Sequence, residues 1–170
     1  MTTRDQETID LIEREWDAFE RRLDAASPDA FDRAVFTGEG EGWRLRDLLA
    51  HIVFWQDLAA RALERMTADG VKPRADQRLR DFMGEPRRTE ELNRSAVASR
   101  RERPVREVRR ELRLAHTRLV AAIGGCPPEL LFDGEGPEAI VPALHMPAIQ
   151  HLRLHTPHVE AALKEGATTA

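Results

Sequence analysis

The chain contains no tyrosine and a single cysteine, Cys126. The first absence removes any phenol that could act as acid or nucleophile. The second excludes an internal disulfide and a cysteine-based zinc cluster. No apolar run reaches the roughly 18 residues that a membrane-spanning helix needs. Glycine and proline stand at ten each in 170 residues, too few for a collagen or linker class. Lysine is scarce as well, since 24 of the 26 basic residues are arginine. Against 30 acidic residues the net charge is −4, so the whole chain is not a polybasic binder of nucleic acid or membrane. The opening residues, MTTRDQETID, are polar and acidic, unlike a signal peptide. With one thiol and no export signal, a cytoplasmic location is expected.

What is present is helical periodicity. The length suits one domain, expected to span residues 1–170. Ile9, Ile12, Trp16, Phe19 and Leu23 recur at spacings of three and four, the stripe of an amphipathic helix that Ser27-Pro28 ends. TGEGEG, at 37–42, reads as a loop. A second helix is expected from Trp43 to Ala68, stopping at Gly70, with Leu48, Ile52, Trp55, Leu58, Ala62 and Met66 inward. Residues 69–88 read as a long connection, followed by a short helix from Thr89 to Ser99. Pro104 suits the first turn of a further helix. In it Val105, Val108, Leu112, Ala115, Leu119 and Ala122 form a regular seam, and Gly124-Gly125 caps it. Residues 126–142 read as loop with one turn at PPELL, and a last helix is expected from Met146-Pro147 to just before Gly166. No stretch alternates at period two, so no sheet is expected.

These patterns predict an all-α four-helix bundle. The joint between the second and third long helices is about 35 residues. A helix of about 25 residues is about 38 Å long, a length that such a joint can retrace. Those two helices are expected to run parallel, giving an up-down-down-up bundle with a crossover that contains the short helix.

Chemistry concentrates in histidine. Three of the six fall within eight positions of the last helix: His151, His155 and His158. At about 100° per residue they form one narrow column. Histidines at i and i+4 can put two imidazole nitrogens on one ion. The second helix offers His51 on the inner face shared by Leu48, Trp55 and Ala62, and facing helices of a bundle can assemble such a site. Pro157 should kink the last helix and could turn His158 away, which leaves His51, His151 and His155 as the better triad. The competing reading is an edge-of-core cluster, because Ile149, Leu152, Val159 and Leu163 centre the apolar face beside the column. Zinc and nickel both suit imidazole.

The segment GWRLRDLLAHIVFWQ, at 42–56, resembles the second-helix signature of the DinB/YfiT-like superfamily. VREVRRELRLAHTRLVAAIGGCPPELL, at 105–131, is similar to its ClbS/DfsB-like branch, as is Asn93 ahead of it. The resemblance covers about residues 38–165. It implies a metal held by one histidine of the second helix and a H-x3-H pair of the last, which fall on His51, His151 and His155. It also implies small-molecule chemistry: a hydrolase, or a thiol-dependent transferase or isomerase, with a thiol cofactor possible. A metal-free ClbS-like hydrolase or binding protein that neutralises a reactive metabolite is the second reading, and a non-catalytic bundle the third. Relatives of this type commonly pair, so a homodimer is expected.

Around the triad, Asp47 lies one turn before His51 and is a candidate to orient its ring, or else a charge at the helix start. Trp55 could line a substrate cavity or belong to the core. His158 is a further pocket candidate. His116 and His145 are expected to be partly exposed. Eight arginines and three glutamates between Arg100 and Arg118 read as an exposed face of ion pairs rather than a nucleic-acid patch, since no aromatic residues interleave. Cys126 has no identifiable partner base. No P-loop, G-x-G-x-x-G, G-x-S-x-G or H-E-x-x-H motif occurs.

Overall fold

The computed structural model describes residues 3–35, 42–70 and 86–164. The expected loop at 37–42, apart from Gly42, and most of the expected connection at 69–88 lie outside the described residues. Helix α1 spans Thr3–Asp24, and a 3-10 turn follows at Pro28–Asp32. Helix α2 spans Leu45–Asp69, α3 Pro86–Ala98 and α4 Val105–Gly124. The short helices α5, Pro128–Leu131, and α6, Pro142–His145, lead into a π turn at Met146–Gln150 and then α7, His151–Lys164. No strand occurs among the described residues, only isolated bridges at Ala34–Arg44 and Phe132–Ile140.

Helix α2 is the central element, buried on most of its circumference, and its broadest packing is against α4. It starts two residues later than expected, at a reciprocal cap. The Arg44 backbone N–H donates to Asp47 Oδ2 at 3.0 Å, which satisfies a donor that the first turn leaves orphaned. Gly70 ends it in the left-handed region at φ 66°, the conformation that only glycine adopts cheaply.

Cross-helix pairs give the directions. Arg118 of α4 pairs with Asp57 and Glu64 of α2, and Cys126 just beyond α4 meets Thr67 near the end of α2, so these two helices run the same way. Glu20 of α1 pairs with Arg109 and Arg113, and Glu13 with His116, so α1 opposes α4. Glu15–Arg153 and Arg22–Glu160 align α1 with α7. Ile12, Leu63, Leu119, Ile123 and Ile149 fill one end of the core, while Phe19, Leu23, Leu48, Ile52, Leu112 and Leu152 fill the other. Of the arginines of 100–118, Arg109, Arg113 and Arg118 make interhelical ion pairs, while Arg100 and Arg103 pair with Glu111 nearby.

Three expectations are corrected. The last helix does not begin at Met146-Pro147. It enters through α6 and the π turn, in which the His151 N–H reaches back five residues to the Met146 carbonyl. Pro147 has no N–H to give an α-type bond here, and the wider turn accommodates it. Pro157 does not divert His158, because α7 continues through it and the His158 ring stays beside His155. His116 is not partly exposed. It is 4% exposed and stacks on Trp16 with ring centroids 4.0 Å apart, and its Nε2 meets Glu13 at 3.1 Å. An aromatic partner on the adjacent helix covers a position that the seam of α4 alone puts at its margin.

Candidate metal centre

The π turn delivers His151 to the inner face of α7, and the α-helical repeat places His155 one turn later on the same face. Opposite them, α2 presents His51 between Leu48 and Trp55. The three rings converge. Their ligand atoms, one per residue, all lie within 4.8 Å of one another. His51 Nε2 and His151 Nε2 are 2.7 Å apart. Ring centroids are 4.6 Å apart for His51–His151, 4.7 Å for His151–His155 and 5.3 Å for His51–His155. Exposures are 7%, 6% and 9% for His51, His151 and His155. The column is buried and faces another histidine across the bundle.

Burial decides the charge state. Desolvation pushes His51 down to about 4, against a smaller upward pull from Asn93. Desolvation, helped by the neighbouring His51 and His158, pushes His155 down to about 3. His151 lies well below its ordinary value, first through burial and then through His51 and His155. All three are therefore neutral imidazoles at physiological pH, each with a lone pair available.

The donor set suits a divalent transition ion. Two neutral imidazoles at 2.7 Å can share one proton, but His51 Nδ1 and His151 Nδ1 are both buried without a hydrogen-bond partner. With each ring protonated on Nδ1, the two Nε2 lone pairs face one point, which an ion would occupy. Nitrogens on one tetrahedral zinc are about 3.3 Å apart, between the 2.7 Å of the His51–His151 contact and the 4.8 Å that bounds the set, so the rings would turn to hold an ion. Zinc and nickel remain the ions that fit imidazole best.

The other sequence candidates divide. Trp55 lines the same pocket, and its indole N–H donates to Asn93 Oδ1 at 2.8 Å. His158 approaches His155, Nδ1 to Nδ1, at 3.3 Å and stands just outside the triad. Asp47 does not reach His51. Its Oδ2 is taken by the Arg44 backbone and side chain, so of the two roles open to it, the charge at the helix start is the one seen.

The pocket, about 410 Å³, is also lined by Thr89, Asn93, Met146, Pro147 and Leu154. Trp43 tilts over His51 at 5.4 Å. Periodicity did not single these out. Thr89 and Asn93 arrive on α3, within the crossover, and no local pattern tells where a crossover helix lands.

A model of the mycothiol maleylpyruvate isomerase N-terminal domain matches residues 6–163. The chain belongs to this family. The mycothiol maleylpyruvate isomerase N-terminal domain family is itself part of the DinB/YfiT-like superfamily, whose members typically bind a divalent metal. The match bears out the superfamily. It points to metal-dependent, thiol-related enzyme function. No curated protein and no solved structure matches the chain. No helix among the described residues is long and apolar enough to cross a membrane.

Proposed function

We propose that the chain is a metal-dependent enzyme acting on a small molecule, with one zinc or nickel ion held by His51, His151 and His155. The observation that carries this reading is the convergence of three buried, neutral imidazoles on the wall of a pocket of about 410 Å³. The family's name couples a thiol, mycothiol, to an isomerisation, so a thiol-dependent isomerisation or transfer is the reaction class favoured here. When bound, the ion would supply a Lewis acid that acidifies a thiol or water reaching its open position.

The chain's own residues do the rest. The triad offers lone pairs and no charge, so it would hold an ion without neutralising it. His158 steadies the His155 ring through the contact between their Nδ1 atoms. Trp55, Met146, Pro147 and Leu154 give the pocket an apolar wall that excludes water from the reacting groups.

Metal content tests the reading. Protein stripped with a chelator and dialysed against zinc or nickel near neutral pH is expected to retain one equivalent by elemental analysis. His51→Ala and His151→Ala should each lose it, and His145→Ala should keep it. Wild-type protein without stoichiometric metal would return the histidines to a structural cluster.

A further inference from the structure

The pocket has a polar end and an apolar wall, and the polar end is oriented by one hydrogen bond. Indole nitrogen can only donate. The 2.8 Å contact from Trp55 Nε1 must therefore end on the carbonyl oxygen of the Asn93 carboxamide. That fixes which way the amide is turned, an assignment that is otherwise ambiguous. The carboxamide also meets the His51 side chain in a hydrogen bond that favours the protonated ring, so its oxygen is the end turned to His51. Its NH2 group makes no hydrogen bond within the described residues, and Asn93 is only half-buried in the pocket lining. With the oxygen engaged by Trp55 and His51, the NH2 is the part of the amide left to a ligand in the pocket.

The wall is equally distinctive. Among the described residues, the exposed large hydrophobic side chains are Leu114, Met146 and Leu154. Two of these three line this pocket. An apolar wall kept at the surface next to oriented donors is the pattern of a ligand site, not of scattered surface leucine.

We propose that Asn93 is a specificity residue of this pocket, which takes small molecules with an apolar body and a carbonyl oxygen placed beside the three histidines. The amide NH2 donates to that oxygen, and the body lies against Trp55, Met146 and Leu154. Trp55 is a positioning residue that acts through Asn93 by preventing the amide from turning over. This deepens the enzyme reading above and rests on it only in taking the pocket as the substrate site.

A matched pair of probes tests it: acetophenone, with a carbonyl, and ethylbenzene, in which a methylene replaces it. Affinities come from NMR titration of zinc-loaded protein, with zinc content measured in parallel. Wild type is expected to favour acetophenone by about fivefold, the worth of one neutral hydrogen bond. Asn93→Leu should erase this preference while keeping its affinity for ethylbenzene and its zinc. Trp55→Phe, which keeps a ring but loses the N–H, should reduce the preference. Equal binding of both probes by wild type, an undiminished preference in Asn93→Leu, or failure of either probe to bind wild type overturns the proposal. Loss of zinc from wild type with the preference intact would instead overturn the metal reading alone.

Discussion

Lowering the pH of metal-stripped protein should weaken its fold through the buried triad. In the unfolded chain the rings protonate near their ordinary value of 6.5, while in the fold His51 resists until about 4 and His155 until about 3. Between these values the unfolded chain binds more protons than the native one. Stability therefore rises with pH through this window and is lost as pH falls through it. At about pH 5 both rings are still neutral in the fold, while an unfolded ring is about 97% charged. The linkage then amounts to about 2 kcal/mol per ring relative to neutral pH, or about 4 kcal/mol for the two. That is a large part of the 5–15 kcal/mol typical of a domain. Urea unfolding followed by far-UV circular dichroism, at a series of pH values from about 7 to 5, measures it. The carboxylates titrate mainly below this range, with ordinary values of 3.8 for aspartate and 4.5 for glutamate. A His51→Gln/His155→Gln variant, which cannot titrate at these positions, should lose the roughly 4 kcal/mol that these two rings contribute. His151 and His116, whose buried rings are also held below their ordinary value, supply the remainder in both proteins. If wild type falls no faster than the variant, the triad is not buried and neutral as described.

Three further outcomes follow from particular contacts. Zinc affinity should persist below pH 6.5 and fall only toward about 4, because the ligands are already neutral there and protons compete late; pH titration of zinc uptake reads the midpoint. Zinc at about a hundredfold over its dissociation constant should raise stability by about 2.7 kcal/mol, seen as a higher melting temperature in wild type but not in His151→Ala. Asp47→Ala should cost about 1 kcal/mol in urea unfolding through the lost cap and leave zinc uptake unchanged, since its carboxylate serves Arg44 and not His51.

Helix α4 shows how far periodicity reaches. Its spacing places Val108, Leu112, Ala115 and Leu119 inward, and all four are buried. The same reasoning misjudged His116, because its burial is supplied by Trp16 on α1. Around the site the pattern is similar. His151 and His155 are legible as a pair because i and i+4 share a face, and His51 because it lies among Leu48, Ile52 and Trp55. Asp47 has helical spacing to His51 too, but the first turn of α2 claims its carboxylate before the ring can. Local backbone donors at a helix start are closer than any side chain one turn away.

Residue order along the chain therefore determined the helices, their inward faces and the three histidines, because each depends on neighbours within one or two turns. Tertiary structure alone decided the rest. Proline in the last helix is absorbed at one position, Pro147, by a π turn, and at another, Pro157, without loss of the histidine column. The crossover helix α3 brings Asn93 to Trp55 across 38 positions of sequence. The approach of His51 to His151, 100 residues apart, turns three ordinary titratable rings into a neutral, desolvated donor set. Desolvation belongs to the packed interior and not to any residue, so no reading of the chain by itself could assign that chemistry its strength.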